Sequence, residues 1–76
     1  MDALKTKSIL KAAFKISRDI ESVYLSIGDE CAEEKSKLSA AIYELYENVI
    51  YPLMDECPEI RAEIESRMEA TGKAFD

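Results

Sequence analysis

The chain has 76 residues, a formal net charge of −6 and no histidine. Its length fits one domain, and because a domain of about 60 residues buries only about 60% of its unfolded surface, extra burial against a partner is expected. The negative charge disfavours nucleic acid as a direct partner. Without histidine, the usual nucleophilic triads and histidine-based acid–base pairs are excluded. We therefore expect a protein that is not an enzyme and that uses no cofactor and no metal.

Two features of the sequence bear on where the protein works. No apolar run approaches the roughly 20 residues of a membrane-spanning helix, and the N-terminus lacks the layout of a secretory signal. We therefore expect a cytoplasmic protein with no membrane partner. Cys31 and Cys57 are too few for a disulfide framework, and a helix between them would hold them beyond disulfide reach, so free thiols are expected.

The first predicted helix runs from about residue 3 to residue 27 and has one continuous apolar seam. Its members recur at steps of 4 and 3 residues, the spacing of a single helix face. Because such a strip packs against another helix, we expect the seam to be buried. Gly28 is expected to end the helix in the left-handed conformation. The seam residues are Ile9, Ala13, Ile16, Ile20, Val23 and Ile27.

The second predicted helix runs from about residue 30 to residue 51 and packs antiparallel to the first. Asp29 is expected to cap its N-terminus with its side chain. Pro52 lacks an amide hydrogen and clashes with the preceding turn, so the helix is expected to kink or end near Ile50 or Tyr51. The seam of this helix repeats the steps of the first and consists of Leu38, Ile42, Leu45 and Val49.

The third predicted helix is shorter and runs from about residue 58 to residue 71. Pro58 fits its first position, and Gly72 interrupts the apolar stripe that follows. The sequence thus predicts an all-α fold, a long antiparallel helical hairpin plus a shorter C-terminal helix, in a single helical domain over residues 1–76.

Some apolar residues lie off both seams, more than a two-helix hairpin can bury. One explanation is that the third helix folds back and covers most of them. The other is that several form the interface of a homo-oligomer, since a small domain with aromatic residues outside its seam commonly has a partner. Both explanations can hold together. The candidate interface residues are Leu10, Leu25, Tyr46, Ile50 and Leu53.

A row of cations follows the first helix on the side away from its seam. Steps of 4, 4 and 3 residues place the four cations within a sector of about 80°, and Phe14 borders it. Cations beside an aromatic ring can hold a phosphate while the ring stacks on a base, so a nucleotide or an acidic protein surface is a possible ligand. The alternative is a solvated helix face. The cations are Lys7, Lys11, Lys15 and Arg18.

The helical hairpin also carries a family resemblance, over residues 8–50. The turn followed by Glu34-Lys35-Ser36 and an amphipathic helix with Ile42 and Glu44 resembles the small helical-hairpin phage proteins that block CBASS or Thoeris immunity. Those proteins are oligomeric sponges that sequester cyclic nucleotide signals. The resemblance implies action in the host cytoplasm.

The resemblance also implies a role for one residue. Lys35 matches the motif lysine of the family and would face a phosphate of the ligand, whereas Ala40 stands where the family tends to have a hydroxyl. The aromatic and proline-bearing segment that precedes the first helix in such sponges is absent, and the chain adds a tail from Tyr51 onward.

The sequence therefore predicts a homo-oligomeric binding protein, specifically a phage-type anti-defence protein that sequesters a cyclic nucleotide. Its ligand contacts would be the basic row, Phe14 and Lys35. One alternative is an acidic, anti-CRISPR-like or nucleic-acid-mimicking inhibitor that binds a host protein. Another is a purely structural helical assembly protein. The acidic surface in the first alternative consists of Glu44, Glu47, Glu56, Glu59 and Glu63.

Overall fold

A computed structural model describes residues 2–75, of which 89% are helical, with no strand among them. The predicted all-α class is confirmed. Because a π-helical turn joins α2 to α3 without a break, the chain forms three helical rods. The elements are α1 (Ala3–Ser26), a 3₁₀ turn (Asp29–Cys31), α2 (Ala32–Leu45), the π-helical turn (Tyr46–Ile50), α3 (Tyr51–Glu56) and α4 (Pro58–Thr71).

The connection between α1 and α2 differs from the prediction. After Ser26 the backbone is extended at Ile27 and at Gly28, whose φ is −72°, so Gly28 does not adopt the left-handed conformation. Asp29 does not cap α2 either, because a 3₁₀ turn precedes that helix. Its Oδ1 atom instead lies 3.7 Å from Nζ of Lys35. A side-chain cap occurs at the other end of the hairpin, where Oδ1 of Asp2 accepts a hydrogen bond from the amide of Lys5 at 2.9 Å.

Of the two outcomes predicted at Pro52, a kink or an end of the helix, the end does not occur. The preceding turn, Tyr46–Ile50, widens into a π-helical turn, and the helix then continues through α3 to Glu56. Wider turns of this kind relieve the clash and the missing hydrogen bond that proline imposes on a regular helix. The helix is interrupted at Cys57, and Pro58 occupies the first turn of α4.

Gly72 redirects the chain after α4. Its φ is +77°, the left-handed conformation that glycine adopts without strain, and its amide donates to the carbonyl of Met68 at 2.9 Å. This turn sends the chain back, so that Ala74 and Phe75 pack into the core. Within residues 2–75, the buried apolar residues are Leu10, Ala13, Phe14, Ile50, Met54, Ile60, Ile64, Ala74 and Phe75.

The prediction that the seam of α1 is buried is wrong for three of its six residues. Ile9, Ile16 and Val23 remain 40%, 50% and 49% exposed, and only Ala13 of the seam is fully buried. The buried face is rotated because α4 and the returning C-terminal residues cover the neighbouring strip of α1. That strip consists of Thr6, Leu10, Ala13, Phe14 and Ser17.

The predicted interface residues separate into three groups. Leu10 and Ile50 have no exposed surface and belong to the core, so neither can contact a second copy. Tyr46 and Leu53 are half-buried and pack against the same core, whereas Leu25 is 70% exposed. The fold-back of the third helix therefore accounts for most of these residues.

Two further observations concern the whole of the described chain. Cys31 and Cys57 are free thiols, each half-buried. Within residues 2–75, no helix combines the length and the apolar character needed to cross a membrane.

Candidate functional site

A cleft of about 750 Å³ lies between α1 and the end of the chain. One wall is the middle of α1, and the other is the turn after α4, where Gly72 brings residues 73–75 back toward α1. Tyr46 of the π-helical turn and Met68 of α4 complete the lining. The volume falls in the range of about 300–1,000 Å³ that small-molecule sites occupy.

Four cations line this cleft. Lys11, Lys15 and Arg18 come from one face of α1, as their spacing predicts, and Lys73 comes from the returning segment. Nζ of Lys15 lies 3.0 Å from Oδ2 of Asp19, one turn along the helix. In residues 2–75, no carboxylate lies within 4.0 Å of the charged groups of Lys11, Arg18 and Lys73. Three of the four cations are thus available to an anion.

Aromatic rings form the apolar part of the lining. The ring of Phe14 lies 5.9 Å from that of Tyr46, edge to face at 86°, and 5.9 Å from that of Phe75 at 55°. Phe14 and Phe75 are largely buried, so they form the floor of the cleft. The half-buried ring of Tyr46 and the exposed side chain of Met68 offer apolar surface nearer to solvent.

The charge of the cleft is opposite to that of the whole chain. Asp19 and Glu21 are the carboxylates in the lining, against four cations, whereas the complete chain has a net charge of −6. A local excess of positive charge of this kind attracts anions in spite of the net charge. The arrangement suits a ligand that has both an anionic group and a flat or apolar group.

Lys7, the first member of the predicted basic row, does not reach the cleft. Its Nζ atom lies 2.9 Å from Oε1 of Glu63, so it links α1 to α4. Arg67 also contacts this oxygen, at 3.2 Å. The hydrogen bond and the charge of Lys7 hold the pKa of Glu63 below its usual range, and Arg67 adds a smaller effect in the same direction. In this structure Lys7 thus links two helices outside the cleft, and its assignment as a ligand contact stays a prediction.

The variant Glu63→Gln is expected to make stability less dependent on pH in the acid range. Because the pKa of Glu63 is lower in the folded chain, its carboxylate stabilises the fold fully above the unfolded-state pKa of about 4.3. That contribution is lost as the pH falls through the folded-state pKa. In urea unfolding between pH 3 and pH 7, the wild type should have the higher midpoint at neutral pH. The difference between the two midpoints should disappear below about pH 4.

A matched control for this measurement is Glu69→Gln, on the exposed face of the same helix. Glu69 has no ion-pair partner within the part of the chain that the structure describes. It should follow the wild type over the whole range. A gap between wild type and Glu63→Gln that stays constant from pH 3 to pH 7 would contradict the prediction.

Lys35 lies in a different pocket, near the tip of the hairpin. This pocket, of about 730 Å³, shares no lining residue with the cleft. Nζ of Lys35 lies 5.0 Å from the ring centre of Tyr24 and 3.7 Å from Oδ1 of Asp29. The structure therefore does not bring Lys35 together with the basic row. Ala40 lines the same pocket, in which Ser36 and Ser39 supply hydroxyl groups.

No local pattern in the sequence indicates that Lys73, Tyr46 and Phe75 belong to the cleft. The available signal was Gly72, which ends α4 in the left-handed conformation and reverses the chain. A glycine followed by an apolar residue that packs back is a common helix ending, whereas apolar spacing alone predicts only an interruption of the stripe at Gly72. Within residues 2–75, no group of three or more Cys, Asp and Glu residues is placed to hold a metal ion.

The acidic surface of the alternative hypothesis is dispersed in the structure. Glu44 lies on α2, Glu47 in the π-helical turn and Glu56 at the end of α3, all exposed. Glu59 lies in the first turn of α4, whereas Glu63 is engaged by Lys7 and Arg67. No contact in the structure favours this surface over the basic cleft.

The chain matches no known protein family, no curated protein and no solved structure. The geometry of the cleft and the sequence are therefore the basis for the function.

Proposed function

We propose that this chain is a non-enzymatic binding protein that holds a nucleotide of the cyclic dinucleotide or trinucleotide class in the cleft beside α1. The observation that carries the proposal is the convergence of Lys11, Arg18 and Lys73 on a cleft with an aromatic floor. These cations come from two segments far apart in the sequence, and the fold brings them to one place.

The two kinds of surface in the cleft match the two parts of such a ligand. Phosphate oxygens would accept hydrogen bonds from the lysine and arginine side chains, which are stronger than hydrogen bonds between neutral groups. A base would pack against Tyr46 and Met68, above the floor formed by Phe14. A ligand with several phosphates uses the separated cations better than a simple anion does.

The biological role that we propose is sequestration of an immune signal by a phage-type anti-defence protein in the host cytoplasm. Support comes from the resemblance of the hairpin turn, the Glu34-Lys35-Ser36 motif that follows it and the amphipathic helix to the cyclic-nucleotide sponges. In such a role, tight binding without turnover is sufficient. We further propose that the working form is a homo-oligomer, as in those sponges.

Calorimetric titration with cyclic dinucleotides and trinucleotides tests the ligand class. The double variant Lys11→Glu/Lys15→Glu should abolish the binding seen with the wild type. Each lost hydrogen bond to a charged group costs about 1.5–3 kcal/mol, and 1.4 kcal/mol corresponds to a tenfold change in affinity. We therefore expect the dissociation constant to rise by at least about a hundredfold.

The single variants Lys11→Glu and Lys37→Glu form a matched pair, because each changes the net charge equally. Lys37 is exposed on α2 and lies outside the cleft. Lys37→Glu should leave the affinity within about threefold, the scale of an exposed charge. Unchanged affinity in the double variant, or no binding by any ligand of the panel, would reject the proposed function. The absence of binding to any nucleotide of the panel, together with specific capture of a host protein, would favour the acidic inhibitor.

A further inference from the structure

The outer edge of α1 is an exposed apolar stripe. Ile9, Ile16 and Val23 follow one another at seven-residue steps, and each keeps 40% or more of its surface exposed. Seven residues bring an α-helix to within about 20° of its starting direction, so these side chains lie in one line along the helix. A line of this kind is the usual form of a helix-packing surface.

The second helix of the hairpin adds to this stripe. The contacts of Phe14 with Tyr46 and of Tyr24 with Lys35 fix the antiparallel register of α1 and α2. In this register Leu45 lies level with Ile16. Successive residues of a helix are 100° apart, so Leu45 and Leu38 lie on the other side of the hairpin from Tyr46. The exposed stripe of α1 lies on that same side. We call this surface the stripe face. It comprises Ile9, Ile16, Val23, Leu38 and Leu45.

The core leaves most of this face without cover, although Leu45 packs partly against the core. Segment Ala32–Leu45 contains no fully buried residue, and its seam residues Leu38, Ile42 and Leu45 are all half-buried. The buried residues cluster where α4 and the C-terminal segment pack, on the side of Phe14. The apolar residues near the hairpin tip therefore pack against the other helix of the hairpin but not against α4 or the C-terminal segment.

The dimensions of the molecule suit a face-to-face partner. The Cα atoms occupy 43 × 25 × 15 Å, so the molecule is a thin slab with two broad faces. A surface that spans the two longer dimensions is large enough to contain an interface of the roughly 800 Å² per partner that stable complexes bury. We propose that the stripe face is the interface of a homodimer, in which two copies pack antiparallel about a two-fold axis near Ile16.

Charges at the two ends of the stripe face favour a second copy of this chain in that orientation. Lys5 precedes Ile9 by four residues at one end, and Glu34 precedes Leu38 by four at the other. Both are exposed, and neither has an ion-pair partner within residues 2–75. The two-fold axis brings Lys5 of each copy to Glu34 of the other. The face is thus complementary to itself, as an interface with two-fold symmetry requires.

Light scattering at micromolar protein tests the interface. The wild type should have twice the 8.6 kDa mass of one chain, and Ile16→Glu should be a monomer because it places two carboxylates at the apolar centre. Leu25→Glu is the matched control, since Leu25 is an exposed apolar residue of α1 off the stripe. It should remain a dimer. A monomeric wild type, or a dimeric Ile16→Glu, would overturn the proposal.

Circular dichroism of Ile16→Glu separates loss of the dimer from loss of the fold. Ile16 is already half exposed, so the helical signal at high concentration should match that of Leu25→Glu. The dimer is independent of ligand binding, because the cleft and the stripe face lie on opposite sides of the hairpin. A negative result for the dimer in light scattering and a negative result for ligand binding in calorimetry are therefore independent outcomes.

A charge exchange tests the antiparallel orientation. Lys5→Glu should raise the dissociation constant of the dimer by about threefold to tenfold, because like charges then meet at both ends. The double variant Lys5→Glu/Glu34→Lys restores opposite charges and should recover the wild-type value. If the double variant dissociates as readily as Lys5→Glu alone, the antiparallel arrangement is wrong.

Discussion

Leu10→Ala is expected to lower the free energy of unfolding by about 2–5 kcal/mol, the range for deleting a large buried aliphatic side chain. Leu10 has no exposed surface and lies in the cluster that joins α1 to α3 and α4. Truncation of its side chain leaves a cavity between three segments. Because these helices contact one another at several points, they cannot move far enough to fill it. A domain of this size has only a few kcal/mol of stability to lose.

Leu25→Ala is the matched control for this measurement. The chemical change and the helix are the same, but Leu25 is largely exposed, so the loss should stay within about 0.5 kcal/mol. Urea unfolding of both variants, followed by circular dichroism at one protein concentration, gives the comparison. Equal losses would mean that α1 does not bury the face that contains Leu10.

The helical class of the chain could be predicted from apolar spacing, but the buried face of α1 could not. Ile9 and Leu10 are adjacent in the sequence, and the apolar strips that begin at them lie about 100° apart on the helix. Spacing alone favours the strip of Ile9, because it is the more regular of the two. The choice between the strips depends on α4 and on Phe75, which reach α1 from the far end of the chain. Long-range packing of this kind has no local signal.

Pro52 shows a second limit of local rules. In isolation it predicts a kink or the end of a helix, because it lacks a backbone hydrogen-bond donor and crowds the preceding turn. The structure keeps the rod by widening the turn before it, while Ile50 and Met54 on either side of Pro52 pack into the core. We attribute the continued helix to this packing, which outweighs the cost of a wider turn.

The candidate site divides in the same way. The shared direction of Lys11, Lys15 and Arg18 follows from their spacing on one helix and was predicted. The ion pair of Lys7 with Glu63 could not be predicted, since Glu63 lies 56 residues further along the chain. Lys73 could not be placed either, because its position depends on the left-handed turn at Gly72.

Phe75→Ala is expected to release the C-terminal segment from α1 and to cost about 1.5–3 kcal/mol of stability, the value of burying one large apolar side chain. The ring of Phe75 contacts that of Phe14 and lies 5.9 Å from the guanidinium carbon of Arg67. Both contacts close the wall of the cleft that holds Lys73. Met68→Ala, at an exposed position in the same lining, is the control and should cost much less.

A double-mutant cycle of Phe14→Ala and Phe75→Ala separates this contact from the general cost of deleting a ring. If the two rings support each other, the double variant should be more stable than the summed single losses predict, by about 0.5–1.5 kcal/mol. Strictly additive losses would show that residues 73–75 do not pack on Phe14. In the ligand titration, Phe75→Ala should also weaken binding, because Lys73 is then no longer held opposite Lys11. A variant that loses stability but binds with wild-type affinity would place the ligand contacts on α1 alone.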